Sequence, residues 1–232
     1  MVRIRIINRH WLLGINTFLG LFLGLAVLAP GLMALGYTGP GRLLYLAYSF
    51  TCHQLPQRSY FLFGPQGLST YSLGQILAEG ADPTNLRIFV GNPRLGYKMA
   101  LAERNTAIYS AMFLGGLLFA VVRRRVKGLP VRWYVLLILP MFLDGASHMV
   151  SEITGLDFRQ SNGWLSVLTG GVLGPVFYRG DTMGSFNWLM RTLTGALFGL
   201  ANVWLIYPLL QRGFEEVKQV AEARPVEVAT AQ

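Results

Sequence analysis

Asp144, His148 and Glu152 stand at intervals of four residues, so on a helix they share one face with only a slow drift. A carboxylate, an imidazole and a second carboxylate in that order could exchange protons or offer oxygen and nitrogen to a metal ion. They follow directly on an apolar run, Trp133 to Leu143, which Arg132 precedes. At about 1.5 Å per residue, Asp144 lies roughly 18 Å beyond Arg132, past the middle of an apolar membrane core about 30 Å thick. A charge at that depth is costly unless paired or hydrated, so this face is expected to look inward and to mark a site.

Cys52-His53-Gln54, Arg58 and Arg191 are the other polar residues embedded in apolar sequence. With Asp144, His148 and Glu152 they form the candidate polar site. Cys52, His53 and His148 could supply thiolate and imidazole to zinc. Adjacent residues seldom both reach one metal, however, and the single cysteine excludes a Cys-x-x-Cys pair. In a catalytic reading His148 would be a general base tuned by Asp144, with Cys52 as nucleophile or ligand. The chain has no His-Glu-x-x-His and no glycine-rich phosphate loop after a strand. In a structural network Asp144 would pair with Arg191 or Arg58, the histidines would donate hydrogen bonds, and Cys52 would be a small buried apolar residue. The expected function is that of a structural, accessory or ligand-binding membrane protein. A zinc-assisted membrane enzyme is the alternative, and a small-solute or proton carrier the third.

The elements that must position these residues are transmembrane helices. At 232 residues, with 53% hydrophobic and 13% charged residues, the chain is too apolar for an ordinary soluble domain. The fold expected is all-α and polytopic, with four transmembrane helices over 11–35, 106–122, 132–151 and 186–211. Two interfacial or re-entrant half-helices are expected within 42–63 and 160–178. Residues 36–105 and 152–185 are expected on the outer face, and the helical pattern of Tyr97 to Asn105 leads into the second span. Ser72-Leu-Gly-Gln75 reads as a capping box opening a short helix.

The formal net charge of +9 is an orientation signal rather than a mark of nucleic-acid binding. Of the 20 Lys and Arg residues, 11 lie in the segments 1–10, 123–132 and 212–232, the pattern that keeps such segments in the cytoplasm. The protein is therefore expected in the cytoplasmic membrane with both termini inside, the lipid bilayer and other membrane subunits as partners, and a cytoplasmic tail over 212–232 in which a polar helix over Phe214 to Lys218 leads into a disordered end. The N-terminal apolar run is longer than a secretory signal core and is read as a retained anchor. A weak echo repeats Asn162, Leu168, Thr169, Gly170 and Gly174 as Asn187, Leu193, Thr194, Gly195 and Gly199, which reads as shared packing chemistry or a duplication.

Cys52-His53-Gln54-Leu55-Pro56-Gln57-Arg58-Ser59-Tyr60-Phe61, Gly91 to Lys98, Leu143-Asp144-Gly145 with His148, and Gly184 to Gly195 resemble the bacterial and archaeal membrane proteins grouped as domain of unknown function 2085. The resemblance covers roughly residues 40 to 210 and implies a polytopic membrane protein with no established activity. Members commonly read cysteine, glutamine, arginine, aspartate where this chain reads Ala102-Glu103-Arg104-Asn105. If the family's cysteines, histidine and aspartate form a metal or redox site, this chain has lost at least one ligand.

Overall fold

The computed structural model describes residues 2–123 and 125–230, with side chains described from His10 as far as Val220 apart from Arg124 and Lys218. Four helices are long and apolar enough to cross a membrane: His10–Ala34, Glu103–Val122, Val131–Ile153 and Phe186–Val217. They belong to α1 (Val2–Ala34), α4 (Glu103–Val122), α5 (Val131–Ile153) and α9 (Phe186–Thr230). Pro30 lies inside α1. The tail expected to be disordered is helical through Thr230, and residues 231 and 232 lie outside the described residues.

Small residues let α4 and α9 meet at backbone distance. A Cβ built on Gly195 would come within 2.8 Å of the Arg104 carbonyl, and one on Gly199 within 2.4 Å of the Ile108 carbonyl. This is the close approach that stabilises helix pairs in lipid, where apolar side chains gain little from leaving the hydrocarbon. α1 packs on the other side of α4, with Phe22 edge-on to Tyr109 at 4.7 Å. At the end bearing the basic turn, Trp11, Phe119, Tyr207 and Phe214 form an aromatic plug. α5 lies against α9 and scarcely touches α4.

At Gly36, whose φ is +84°, the chain reverses. The Tyr37 N–H donates to the Leu32 carbonyl and the Gly36 N–H to that of Met33, the paired C-terminal bonds that a left-handed glycine permits. Helix α2 (Thr38–Tyr48) then runs back along α1, until the Tyr48 hydroxyl reaches the Phe22 carbonyl. The half-helix expected within 42–63 therefore ends at Tyr48. Beyond it, Gln54 turns the chain with a φ of +52°, an uncommon conformation for a residue with a side chain. Its Nε2 donates to the Tyr45 carbonyl at 2.8 Å, and its own carbonyl accepts from Lys98 Nζ at 2.8 Å.

The all-α expectation is corrected here, because residues 59–102 hold a four-stranded antiparallel sheet of order β2-β1-β4-β3. Its strands are β1 (Ser59–Gly64), β2 (Gly67–Ser69), β3 (Gly91–Asn92) and β4 (Gly96–Ala102), with Phe61 opposite both Ser69 and Lys98. The stretch Tyr97 to Ala102, expected to be helical, is strand. It is covered on both faces by α1 and α2 on one side and by loops on the other, so its burial shows no two-residue alternation. The capping box at Ser72 and Gln75 forms as expected and opens α3 (Leu73–Ala78).

The second half-helix expected within 160–178 is three short pieces, α6 (Phe158–Ser161), α7 (Gly163–Leu168) and α8 (Pro175–Tyr178). Asn162 and Asn187, the leading residues of the internal echo, are both fully buried and touch each other at 3.3 Å. The echoed segments themselves differ, one being a short helix that unwinds at left-handed Gly170, Gly171 and Gly174, the other an unbroken stretch of α9.

Candidate functional site

Asp144 lies on the inward face of α5, its side chain inaccessible, and its two oxygens hold separate arginines. Arg104, one residue into α4, donates to Oδ2 at 2.5 Å, and Arg159, from α6, donates to Oδ1 at 2.6 Å. The expected pairing of Asp144 with Arg191 or Arg58 is not what forms. Arg191, on α9, instead donates to Glu103 at 2.9 Å and to Asp181 at 2.6 Å, and Arg58 pairs with Glu152. The start of α4 decides this, because Glu103 there pairs with Arg191 of α9 while its neighbour Arg104 pairs with Asp144 of α5, and the loop before α9 adds Asp181 to Arg191.

Four arginines and four acids are thus interlaced at one end of the bundle. Burying any one of them alone would be costly, but mutual pairing compensates for much of the lost hydration. Arg159 is held further by its guanidinium lying 5.2 Å over the Phe186 ring and by its backbone N–H donating to Ser151 Oγ. Asn162 and Asn187 fix the same loop, both donating to the Arg159 carbonyl.

Between these pairs is a cavity of about 320 Å³ that Arg58, Arg104, Arg191, His53, His148 and Glu152 line, with Ala102, Asn105, Gly145 and Met149 completing its wall. An ionised guanidinium can only donate, so the 3.1 Å contact from Arg159 to His148 Nε2 makes that nitrogen the acceptor. His148 is then neutral with its proton on Nδ1. Likewise His53 Nδ1 accepts from the Leu55 N–H at 3.2 Å, which puts its proton on Nε2. Burial, and then the charges of Arg58, Arg104 and Arg191, push the His53 pKa down to about 4. The Nε atoms of Arg58 and Arg104 are buried without a partner among the described residues. The three guanidinium groups on its wall make the cavity rich in donors.

Of the residues expected to form the site, Arg58, His53, His148, Glu152 and Arg191 line this cavity, and Asp144 stands behind it. Cys52 and Gln54 do not. Cys52 faces an apolar cluster with Met33, Tyr45 and Ala100, its sulfur accepting from the Ala102 N–H at 3.3 Å and the Gln54 N–H at 3.5 Å. Cys52 and His53 are neighbours in a non-helical stretch in which burial alternates, so one side chain is buried and the next is exposed. The zinc set Cys52, His53 and His148 is not brought together, and among the described residues no three His, Cys, Asp or Glu side chains converge to hold a metal ion. Asp144 does not orient His148 as a base either: the two are 4.0 Å apart and share Arg159. Arg104, Arg159, Glu103 and Asp181 were not anticipated. Glu103-Arg104 at the head of an apolar run was a readable signal, whereas Arg159 and Asp181 lie in polar loops and gave none.

Lys98 is a second buried charge, fully enclosed beneath the sheet, with Nζ donating to the Gln54 and Arg87 carbonyls at 2.8 Å each. Burial pushes its pKa down to about 7.

Four spans, an ion-paired end and a small sheet define a multi-pass helical membrane protein. Residues 94–179, which include Glu103, Arg104, Asp144, His148, Glu152 and Arg159, match a family described as a predicted membrane protein, domain of unknown function 2085. The resemblance read from the sequence is thereby shown over that stretch. An uncharacterized protein of Methanocaldococcus jannaschii is 26% identical over 180 residues, covering 74% of this chain and 90% of the relative. No solved structure matches.

Proposed function

We propose that this protein is a ligand-binding membrane protein whose cavity captures a small oxyanion, a phosphate, sulfate or carboxylate group. The observation that carries the reading is the gathering of three arginines and two neutral histidines on one cavity of about 320 Å³, against the single wall carboxylate of Glu152. Arginine forks match oxyanions geometrically, and low surrounding polarity strengthens each bond. The remaining acids face away into their own pairs. The aromatic plug at the opposite end supports capture over transit, because among the described residues no ion pair continues into the packing of Trp11, Phe119 and Tyr207. Purified protein titrated with inorganic phosphate or sulfate should gain thermal stability in a saturable way that chloride at equal ionic strength does not reproduce. Equal effects of all three salts would refute the reading.

The sheet end is assigned to the outside and the basic turn after α4 to the cytoplasm, on the Lys and Arg asymmetry. With Cys52 replaced, single cysteines at residues 75–90 should react with an impermeant thiol reagent on intact cells, and one at Gly128 should react only after lysis. The opposite pattern would invert this topology. On it, α2 enters the outer leaflet beside α1 as a re-entrant half-helix, and the exposed apolar residues of α7 and α8 lie at its interface.

A further inference from the structure

The polar groups around the cavity differ in accessibility, and the difference sorts donors from acceptors. Arg191 and His148 are the least accessible, their side chains 4% and 8% exposed, Arg58 and Arg104 are more so, and Glu152, one helical turn past His148 on α5, is 59% exposed. The enclosed groups are left with donors alone. A guanidinium accepts nothing, and each histidine already spends its accepting nitrogen within the protein, His148 Nε2 on Arg159 and His53 Nδ1 on the Leu55 N–H. Asn105 is a neutral amide whose Nδ2 donates to the Thr51 carbonyl. Among the described residues, Glu152 is therefore the one charged acceptor on the wall. Its Oε1 takes the Arg58 guanidinium, while no hydrogen bond from these residues reaches Oε2.

Resting on the oxyanion reading, we propose that Glu152 makes the cavity selective for an oxyanion that keeps a hydrogen, inorganic phosphate, over one that has none, such as sulfate or a carboxylate. Hydrogen phosphate turns its bare oxygens inward to the guanidinium groups and its one O–H outward, where it donates to Glu152 Oε2. Sulfate matches hydrogen phosphate in charge and nearly in size, so the donors hold the two alike and only the hydrogen tells them apart. For phosphate, Glu152 supplies a further charge-assisted bond. For sulfate, the same carboxylate faces an oxygen lone pair, and like charges meet with no proton between them, which is discrimination by repulsion as well as by attraction.

The test follows thermal unfolding of the purified full chain in detergent micelles, titrated separately with phosphate, sulfate and chloride at equal ionic strength and at a slightly alkaline pH, where hydrogen phosphate predominates. Half-maximal stabilisation should need about tenfold less phosphate than sulfate, the ratio that one hydrogen bond to a charged acceptor gives. Glu152→Gln keeps an oxygen for Arg58 but loses the charge, so sulfate should bind more tightly and the two concentrations should converge. Melting without added anion checks that the variant folds, and the wild-type ratio tests the proposal without any variant. Equal stabilisation by phosphate and sulfate, both above chloride, would overturn the selectivity and leave the oxyanion reading standing. So would a Glu152→Gln protein that gains affinity for both anions equally, because Glu152 would then only compete for Arg58. Equal effects of all three salts would overturn the selectivity and the oxyanion reading together.

Discussion

Replacing Asp144 with asparagine is expected to destabilise the protein by on the order of 3–5 kcal/mol, the cost of leaving a buried ion pair with one partner missing. Asp144 is fully buried and is shared by Arg104 and Arg159, so its loss strands two guanidinium groups at once. Arg159 is the more damaging, being 7% accessible against 24% for Arg104. The double variant Asp144→Asn/Arg159→Gln should recover part of the loss, whereas Asp144→Asn/Arg191→Leu should be additive, because Arg191 belongs to Glu103 and Asp181. Unfolding in mixed micelles would measure both cycles. Coupling between Asp144 and Arg191 with none between Asp144 and Arg159 would contradict the arrangement described above.

Alanine at Gly199 should cost about 1–3 kcal/mol, the usual range for overfilling a tight contact. The new methyl would meet the Ile108 carbonyl at 2.4 Å and the Ala111 side chain at 3.0 Å. Backbone cannot step aside, so α4 and α9 must separate. That separation also strains the bond from Arg191 on α9 to Glu103 on α4, and phosphate binding should weaken with it. At Gly213, on the same helix, a Cβ meets nothing within 4 Å. There alanine should stabilise by up to about 1 kcal/mol through helix propensity alone. Opposite signs at two glycines of one helix, read from thermal unfolding, separate packing from propensity, and a neutral Gly199→Ala would deny the close approach.

Much of the helical scaffold was readable because spans announce themselves by length and apolar content, and the four expected ones match α1, α4, α5 and α9 within a few residues at most ends. Residue type also found much of the site, since Asp144, His148 and Arg191 are conspicuous inside apolar runs. Partner choice was not readable. Spacing along α5 puts Asp144 on an inward face but says nothing of which neighbour supplies the cation, and Arg159 comes from a loop where an arginine is unremarkable. The sheet was hidden for a related reason. A strand such as β4, buried on both faces and built from Met, Ala and Leu around one enclosed lysine, lacks both the alternation and the β-branched residues by which strands are recognised.

Lys98 also fixes an order of assembly. The carbonyl of Gln54 accepts from Lys98, and the Tyr45 hydroxyl donates to the Lys98 carbonyl at 2.5 Å, so partners 44 and 53 residues upstream wait on this one residue. Tyr45 and Gln54 are therefore made before the residue that satisfies them, and the turn at Gln54 gains its full set of hydrogen bonds only when β4 is in place.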